Sequence, residues 1–389
     1  MKIGIAGPFN PRCVSTYFDK STELPNIHLT ASSVNIYVQT LLKLGHEVVV
    51  FTINSHQKNT LLLVGKNIKI YVISSQFCPH GFAKYRVHKR VKQYIAKELP
   101  TLDILHAQWT YEYALAVSYF AKQKPVFCSV RDWCPYILSM VSGLKNKYNW
   151  WTNWIMFRQV MNNKDIHFLA NSTYTYNCII CSYPHNTVTI IPNAVSSSYI
   201  RLQRADYPTN PIFVSISQSL LNARKNYKAL LHAFRQYLSY KPEAYLILIG
   251  TYTEEWKTEM QAQQLLEHVE LKGEMRHEDI FDILDHASCL VHPSLEETFG
   301  NILLEAMCRR IPCIGGQQAG AVPQVLGQGK YGILCDVTNP TSIANAMKQI
   351  EDRNYISEII ECSTKYLENN YLDISVTNRH IELFNQYLA

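Results

Sequence analysis

The chain has 389 residues, 47% of them hydrophobic and 17% charged, enough for two domains of ordinary size with cores of their own. The formal net charge of +6 is divided unequally: residues 1–200 carry 20 Lys and Arg against 8 Asp and Glu, whereas residues 201–389 carry 17 against 23. No run of eighteen apolar residues or low-complexity tract is present, so no membrane-spanning helix is expected, and the short apolar start reads as a strand rather than a signal peptide. The expectation is a cytoplasmic protein whose basic half can face anionic partners. The eleven cysteines are scattered through apolar segments such as those around Cys128, Cys289 and Cys313, which suits reduced, buried thiols. Cys178 and Cys181 form a CxxC without a second pair, and are read as packing.

In chain order, residues 2–6 predict a strand ended by Gly7-Pro8, and Phe9 to His28 predicts a polar, mobile loop. Thr30 to Leu44 predicts a helix with Val34, Tyr37, Val38, Leu41 and Leu42 on one face. Gly45 stops it before a strand at 47–52, giving a βαβ unit and hence a parallel sheet. Further strands are predicted at 68–73, 104–107, 126–130, 166–170 and 187–191. Lys84 to Leu99 predicts a basic amphipathic helix, with Val87, Val91, Tyr94 and Ile95 as its stripe and Lys84, Arg86, Lys89, Arg90, Lys92 and Lys97 around it. It reads either as a solvated face or as a contact for a membrane surface or an acceptor phosphate. Trp150, Trp154 and Phe157 share a helical face near Lys145, Lys147 and Arg158, which reads either as core or as a bilayer-interface belt.

The alternation restarts with a strand at 212–216, a helix opened by Ala223-Arg224-Lys225-Asn226-Tyr227, and a strand at 245–249 ended by Gly250, while residues 269–273 lead into the helix before Cys289. Cys289-Leu290-Val291 is a short buried strand broken by His292-Pro293-Ser294. Thr298 reads as a helix cap, Gly300 as a point of close backbone approach, and Ile302, Leu303, Ala306 and Met307 repeat at helical spacing. Glu297 therefore lies at a strand's carboxyl end, and Glu305 about two turns along the helix that follows. A helix start supplies free N–H groups and a favourable dipole for phosphate. A carboxylate beside a phosphate is repelled by it and bonds hydroxyls instead, for which sugar and ribose hydroxyls are suited. Two exposed, solvated glutamates would show the same spacing.

The stretch 291–307 resembles the E-x7-E signature of glycosyltransferase family 4 in the GT-B superfamily. Seven residues separate Glu297 from Glu305, and Pro293-Ser294, Phe299-Gly300 and Leu304-Glu305-Ala306-Met307 match around them, while Glu296 is out of register. The resemblance extends over most of the chain, strongest at 212–340. It implies an α/β GT-B fold: two doubly wound, Rossmann-like parallel-sheet domains facing a central cleft. The acceptor domain would span 1–195, with a final helix from about Ser375 to Ala389 packing back on it. The donor domain would span 196–374, and the boundary would fall near Ser196–Asp206.

In this family the first glutamate contacts the donor sugar and the second the ribose of a nucleotide sugar. The resemblance thus implies a nucleotide-diphosphate sugar donor, no cofactor and no metal, retention of configuration, and a lipid-linked or saccharide acceptor in surface polysaccharide, lipopolysaccharide or glycolipid assembly. The absence of an Asp-x-Asp motif agrees with metal independence. Arg224 and Lys225 resemble the basic pair that clamps the diphosphate, where arginine adds planar bidentate bonds. The amides and side chains of Thr298, Phe299, Gly300 and Asn301 would complete the donor site.

The chain departs from the family at several points. Leu29-Thr30-Ala31-Ser32-Ser33 stands where two glycines are usual, leaving the amides of Ala31, Ser32 and Ser33 to serve the donor phosphate. Arg131 stands where a histidine is usual, and arginine is not a base. Asp132 or His106 would then contact acceptor or sugar. Gln324 stands where glutamate is commoner. The alternatives are a GT-B-fold sugar-nucleotide epimerase or an inactive nucleotide-sugar-binding protein. No nucleic-acid motif accompanies the basic half, and Gly4 and Gly7 do not complete a dinucleotide fingerprint. The peripheral face of a membrane remains a partner to test.

Overall fold

The computed structural model describes residues 1–27, 31–75, 81–203 and 207–388. The chain forms two compact units: Met1–Ala194 with Asp373–Ala389, and Val195–Leu372.

The first unit is built on eight strands: β1 (Lys2–Ala6), β2 (Glu47–Asn54), β3 (Leu61–Gly65), β4 (Ile68–Ser74), β5 (Ile104–Ala107), β6 (Val126–Val130), β7 (Ile166–Ala170) and β8 (Thr187–Ile190). Their order is β3-β4-β2-β1-β5-β6-β7-β8, and every pair is parallel except β3 with β4. The helices between them are α1 (Ser32–Lys43), α2 (Gly81–Glu98), α3 (Glu112–Ser118), α4 (Cys134–Met140), α5 (Leu144–Met161) and α6 (Thr173–Ser182). Parallel strands need crossovers, and the central strands are buried on both faces, so they read as apolar runs interrupted only by the buried His106, Ser129 and His167.

Several expectations change here. The edge strand β3 was not legible in the sequence. It folds back on β4 through Lys66-Asn67, with Asn67 in the left-handed region at φ 59°. The segment after β1 is a packed loop: Phe9, Val14 and Ile27 are buried, and residues 11–17 form a 3-10 turn. Thr30 and His28 lie outside the described residues, as do residues 204–206 of the expected boundary and the side chain of Lys84. The α5 aromatics divide. Phe157 is wholly buried with Met156, Val160 and Met161, and Trp150 and Trp154 pack against that core, so this face is core rather than a belt. On α2, Val87, Val91 and Ile95 are buried as the stripe predicts. Arg90 is tied to the Ser74 carbonyl at 2.6 Å, and the Lys92 ammonium sits 3.7 Å over the Tyr119 ring.

The second unit runs β9 (Ile212–Ser219), α7 (Tyr227–Leu238), β10 (Tyr245–Thr251), α8 (Glu254–Ala262), β11 (Val269–Gly273), α9 (His277–Asp285), β12 (Cys289–His292), α10 (Asn301–Cys308), β13 (Cys313–Gly316), α11 (Val322–Val325), β14 (Ile333–Cys335), α12 (Pro340–Lys348) and α13 (Arg353–Asn370). All six strands are parallel, in the order β11-β10-β9-β12-β13-β14. The last helix, α14 (Asp373–Leu388), returns to the first unit, where it packs on α1 and buries Val376, Leu383 and Phe384. Among the described residues, no helix is long and apolar enough to cross a membrane.

Candidate active site

In the second sheet the chain moves outward from β9 through β10 to β11, then returns to place β12 on the opposite side of β9. Loops leaving β9 and β12 therefore diverge at the carboxyl edge, where open α/β sheets hold ligands. The ladder between these two strands stops at Leu290 and Val214, although β9 continues to Ser219, which leaves the gap open.

Two short segments fill its rim. After β9, the Asn222 side chain accepts from Arg224 N at 3.0 Å and fixes a 3-10 turn over Ala223–Lys225. Asn226 then turns left-handed at φ 56°, so Arg224 and Lys225 sit on this turn rather than opening α7 as the sequence predicts. The Asn226 amide donates to the carbonyls of Pro293 (3.2 Å) and Val337 (2.7 Å), and Leu295 N donates to Arg224 O at 2.8 Å. The basic turn is thereby stitched to the loop after β12.

That loop carries Glu296 and Glu297. The Lys225 ammonium pairs with Glu297 Oε1, and His292 Nε2 lies 3.2 Å from the same oxygen. Arg224 Nη1 lies 2.9 Å from Glu296 Oε2 and donates to the Glu296 carbonyl at 3.1 Å; it is also 4.0 Å from Glu297 Oε2. Burial alone would raise the Glu297 carboxyl, but Lys225, His292 and Arg224 outweigh it and hold the group well below the usual carboxylate range. For Glu296 burial wins over Arg224, and its carboxyl is pushed up. Glu296, set aside by its register, is thus part of the group, as is His292, whose sequence role was only to end a strand. Neither has a spacing signal of its own.

Gly320 lies in the stretch 319–325, which resembles a further family motif, and the structure adds what it does here. At φ +61° it lies so close to Glu297 that a Cβ would meet the Glu297 carbonyl at 2.3 Å, and Ala321 N donates to that carbonyl at 2.8 Å. Only glycine permits this approach.

Helix α10 begins one residue after Gly300, whose φ of 91° makes it the cap; Thr298 does not cap it. Glu305 consequently lies one turn into α10, not two. It is buried, with Oε2 3.0 Å from His277 Nε2, and this partner raises the His277 pKa against the opposing effect of burial. Phe299 is 2% exposed and packs edge-on against Tyr371, so what it offers a ligand is backbone. Asn301 is half-buried at the first helical position.

In the first unit the corresponding reversal lies between β1 and β5. Arg131, just past β6, donates to Ser33 Oγ at 3.1 Å and to the side-chain oxygens of Asn193 and Gln108. Burial lowers its pKa to about 10, so it stays charged. Asp132 accepts from Trp109 Nε1 (3.0 Å) and the Tyr111 hydroxyl (2.9 Å). His106 is fully buried, with Tyr37 OH at 3.2 Å and Ser129 Oγ at 2.8 Å; burial, then His380 and Arg131, hold its pKa well below normal. This is a core histidine supporting the network beneath Arg131, not a group presented to a ligand. Ser32 is half-buried at the first position of α1. Among the described residues, no three His, Cys, Asp or Glu side chains gather as a metal site.

Residues 32–199 match the model of Glycosyltransferase Family 4, and residues 201–366 match that of Glycosyl transferases group 1. Together these matches take in most of both units. The chain belongs to glycosyltransferase family 4. The fold of this glycosyltransferase is GT-B: its structure aligns with a sucrose-phosphate synthase from Thermosynechococcus elongatus at TM-score 0.75 and 15% identity, over 99% of this chain and 98% of that one. It also aligns with Anabaena HepE in complex with UDP-glucose at TM-score 0.70 and 16% identity, over 99% of this chain and all of the other. By sequence it is 33% identical over 75 residues to N-acetyl-alpha-D-glucosaminyl L-malate synthase from Bacillus anthracis, a stretch that is 19% of each protein. The curated relatives it matches are covered over less than half of their own lengths.

Proposed function

We propose that this glycosyltransferase moves a hexosyl group from a nucleotide-diphosphate sugar to a lipid-linked or saccharide acceptor, with retention of configuration. The observation that carries the reading is the Glu297 carboxylate, buried and kept ionised by Lys225 and His292 at the chain reversal of the second sheet. A sugar hydroxyl is the partner that such a carboxylate can accept from, since a phosphate would be repelled. Arg224 and Lys225, on one rigid turn, supply two cations for the charge that develops on the departing diphosphate, and the N–H groups at the start of α10 supply further donors. Glu305 accepts from the ribose hydroxyls, with His277 holding its carboxylate in place.

The complex of a structural neighbour with UDP-glucose supports a uridine diphosphate sugar as donor. The lipid-linked acceptor is supported by the start of α5, where Leu144 is 89% exposed and Tyr148 and Trp151 are exposed one and two turns on, beside exposed Lys145 and Lys147. Arg131 and Asp132 are the groups proposed to orient sugar and acceptor. No residue of the first unit is proposed as a nucleophile; attack by the acceptor on the leaving-group face fits the retaining course.

The test is Glu297→Gln, which keeps the shape and removes the charge. Transfer from UDP-glucose or UDP-N-acetylglucosamine should fall by about 10²–10³-fold, while UDP binding by calorimetry and the circular dichroism spectrum are retained. Undiminished turnover would remove the assignment.

A further inference from the structure

A cavity of about 410 Å³ lies at the amino edge of the first sheet, among the residues that lead into β6, β7 and β8. Arg131 follows the opposite end of β6, so this cavity and the Arg131 network occupy opposite edges of one sheet. Its lining is cationic. Lys122 and Lys124 come from the turn before β6, and Lys164 from the turn before β7. Among the described residues, no carboxylate lies within ion-pair distance of these three lysines. Among the described lining residues, Asp165 is the one acid.

Neutral hydrogen-bonding groups complete it. Thr187 opens β8, and Tyr387, in the last turn of α14, closes the other side. The Tyr387 hydroxyl is held 2.6 Å from His167 Nδ1, and His167 Nε2 lies 2.8 Å from Thr189 Oγ1. Tertiary hydrogen bonds thus fix the Tyr387 and His167 side of the wall, while Lys122 and Lys164 are exposed and Lys124 is half-buried. Like charges brought around one concavity repel, and a bound polyanion relieves that repulsion.

We propose that this cavity binds a phosphate-bearing anion, a pyrophosphate or phosphate ester, between the three ammonium groups. The anion bridges the turns before β6 and β7 to the end of α14, so occupancy fastens the returning helix to the sheet. The donor site contributes no residue to it. The cavity also accounts for three of the cations in the basic half of the sequence that neither the donor site nor the ion pairs of the first unit use.

The test uses the full-length protein carrying Lys225→Ala, so that diphosphate binding at the donor site is weakened, and compares it with the same protein also carrying Lys122→Gln, Lys124→Gln and Lys164→Gln. Inorganic pyrophosphate, titrated by calorimetry, should bind the first protein at one site and raise its melting temperature by mass action. It should bind the second about tenfold or more weakly, the summed effect of three exposed ion pairs. Sedimentation with vesicles of phosphatidic acid and phosphatidylcholine distinguishes a lipid headgroup from a free phosphate: vesicle binding lost with the three lysines identifies the headgroup as a source, and vesicle binding unaffected by them leaves the soluble anion. The proposal is overturned if neither probe binds the first protein, or if both bind the two proteins equally. Matching circular dichroism spectra and melting temperatures without ligand exclude misfolding as the cause of a loss.

Discussion

The two sheets reverse their chain direction in the same way, yet the polar groups at the two reversals are organised differently. At the second sheet Lys225 and Arg224 meet Glu297 and Glu296 directly, charge against charge, with His292 beside Glu297. At the first, Arg131 donates to the neutral oxygens of Ser33, Asn193 and Gln108, and Asp132 accepts from Trp109 and Tyr111. Ion pairs can exchange partners when an anionic ligand arrives, because the cations are already desolvated and in place. A guanidinium fixed by neutral acceptors instead keeps one orientation and serves to position. One reversal holds paired charges, and the other a guanidinium fixed by neutral acceptors.

The contrast breaks most sharply at Gly320. Gly320→Val puts a side chain against the Glu297 carbonyl in a left-handed backbone, and should cost about 3 kcal/mol while transfer is lost. Denaturant titration followed by circular dichroism measures it, and a silent substitution would refute the close approach.

Acid separates the two units next. His167 and His380 are lowered by burial to about 4, and His106 is lowered as well, all in the first unit. These imidazoles are neutral when folded and take up protons on unfolding, so stability falls as pH drops from about 6.5 toward 4, by up to about 1.4 kcal/mol per pH unit for each. Glu297 behaves otherwise: its contribution is present above the ordinary carboxylate pKa and is lost only as pH falls through its depressed folded value. Near pH 5 the first unit should therefore unfold first. Five of the six tryptophans precede residue 195, so their fluorescence should change before the circular dichroism of the second unit. Simultaneous loss of both signals would contradict the distinction.

Arg131→Lys should be milder. A lysine cannot reach three acceptors in one plane, and about 1–2 kcal/mol of first-unit stability should go, with turnover falling and UDP affinity unchanged. His277→Gln is the smallest. The His277 pKa is raised by Glu305, so the pair stabilises below the ordinary histidine value, and that contribution is lost as pH rises through the raised one. The His277 side chain is 37% exposed, and after solvent screening the effect is about 0.5 kcal/mol or less. Melting profiles between pH 6 and 8 should be flatter for the variant than for the native protein.

Periodicity made much of the fold legible. The strands at 104–107, 126–130 and 166–170 begin and end where their apolar runs do, because both faces of each are covered. β3 escaped because an edge strand has no such requirement: Leu62 and Val64 are half or more exposed, and the turn at Lys66-Asn67 was its sole local sign. In the second unit, Glu297, Arg224 and Lys225 were found through spacing and resemblance, and the structure adds how they touch. The roles of His292 and Glu296 stayed hidden because they come from pairing across the sheet, a separation of 72 residues in the case of Arg224 and Glu296; Gly320 lay in a family-like stretch, and its backbone approach to Glu297 is what the structure adds. The misplaced helix starts at Thr298 and Ala223 share a cause: a left-handed residue, Gly300 or Asn226, delays each helix.

The return of α14 has a consequence for biosynthesis. A ribosome that has delivered the first 194 residues has made all eight strands of the first sheet, but not Val376, Leu383 or Phe384, which complete its core over α1. The sheet must wait, incompletely covered, while the entire second unit is synthesised, whereas that unit has every strand it needs once residue 335 emerges. Order of synthesis and order of completion are thus inverted in this chain, and a chaperone that shields nascent apolar surface has its longest task at the amino-terminal half.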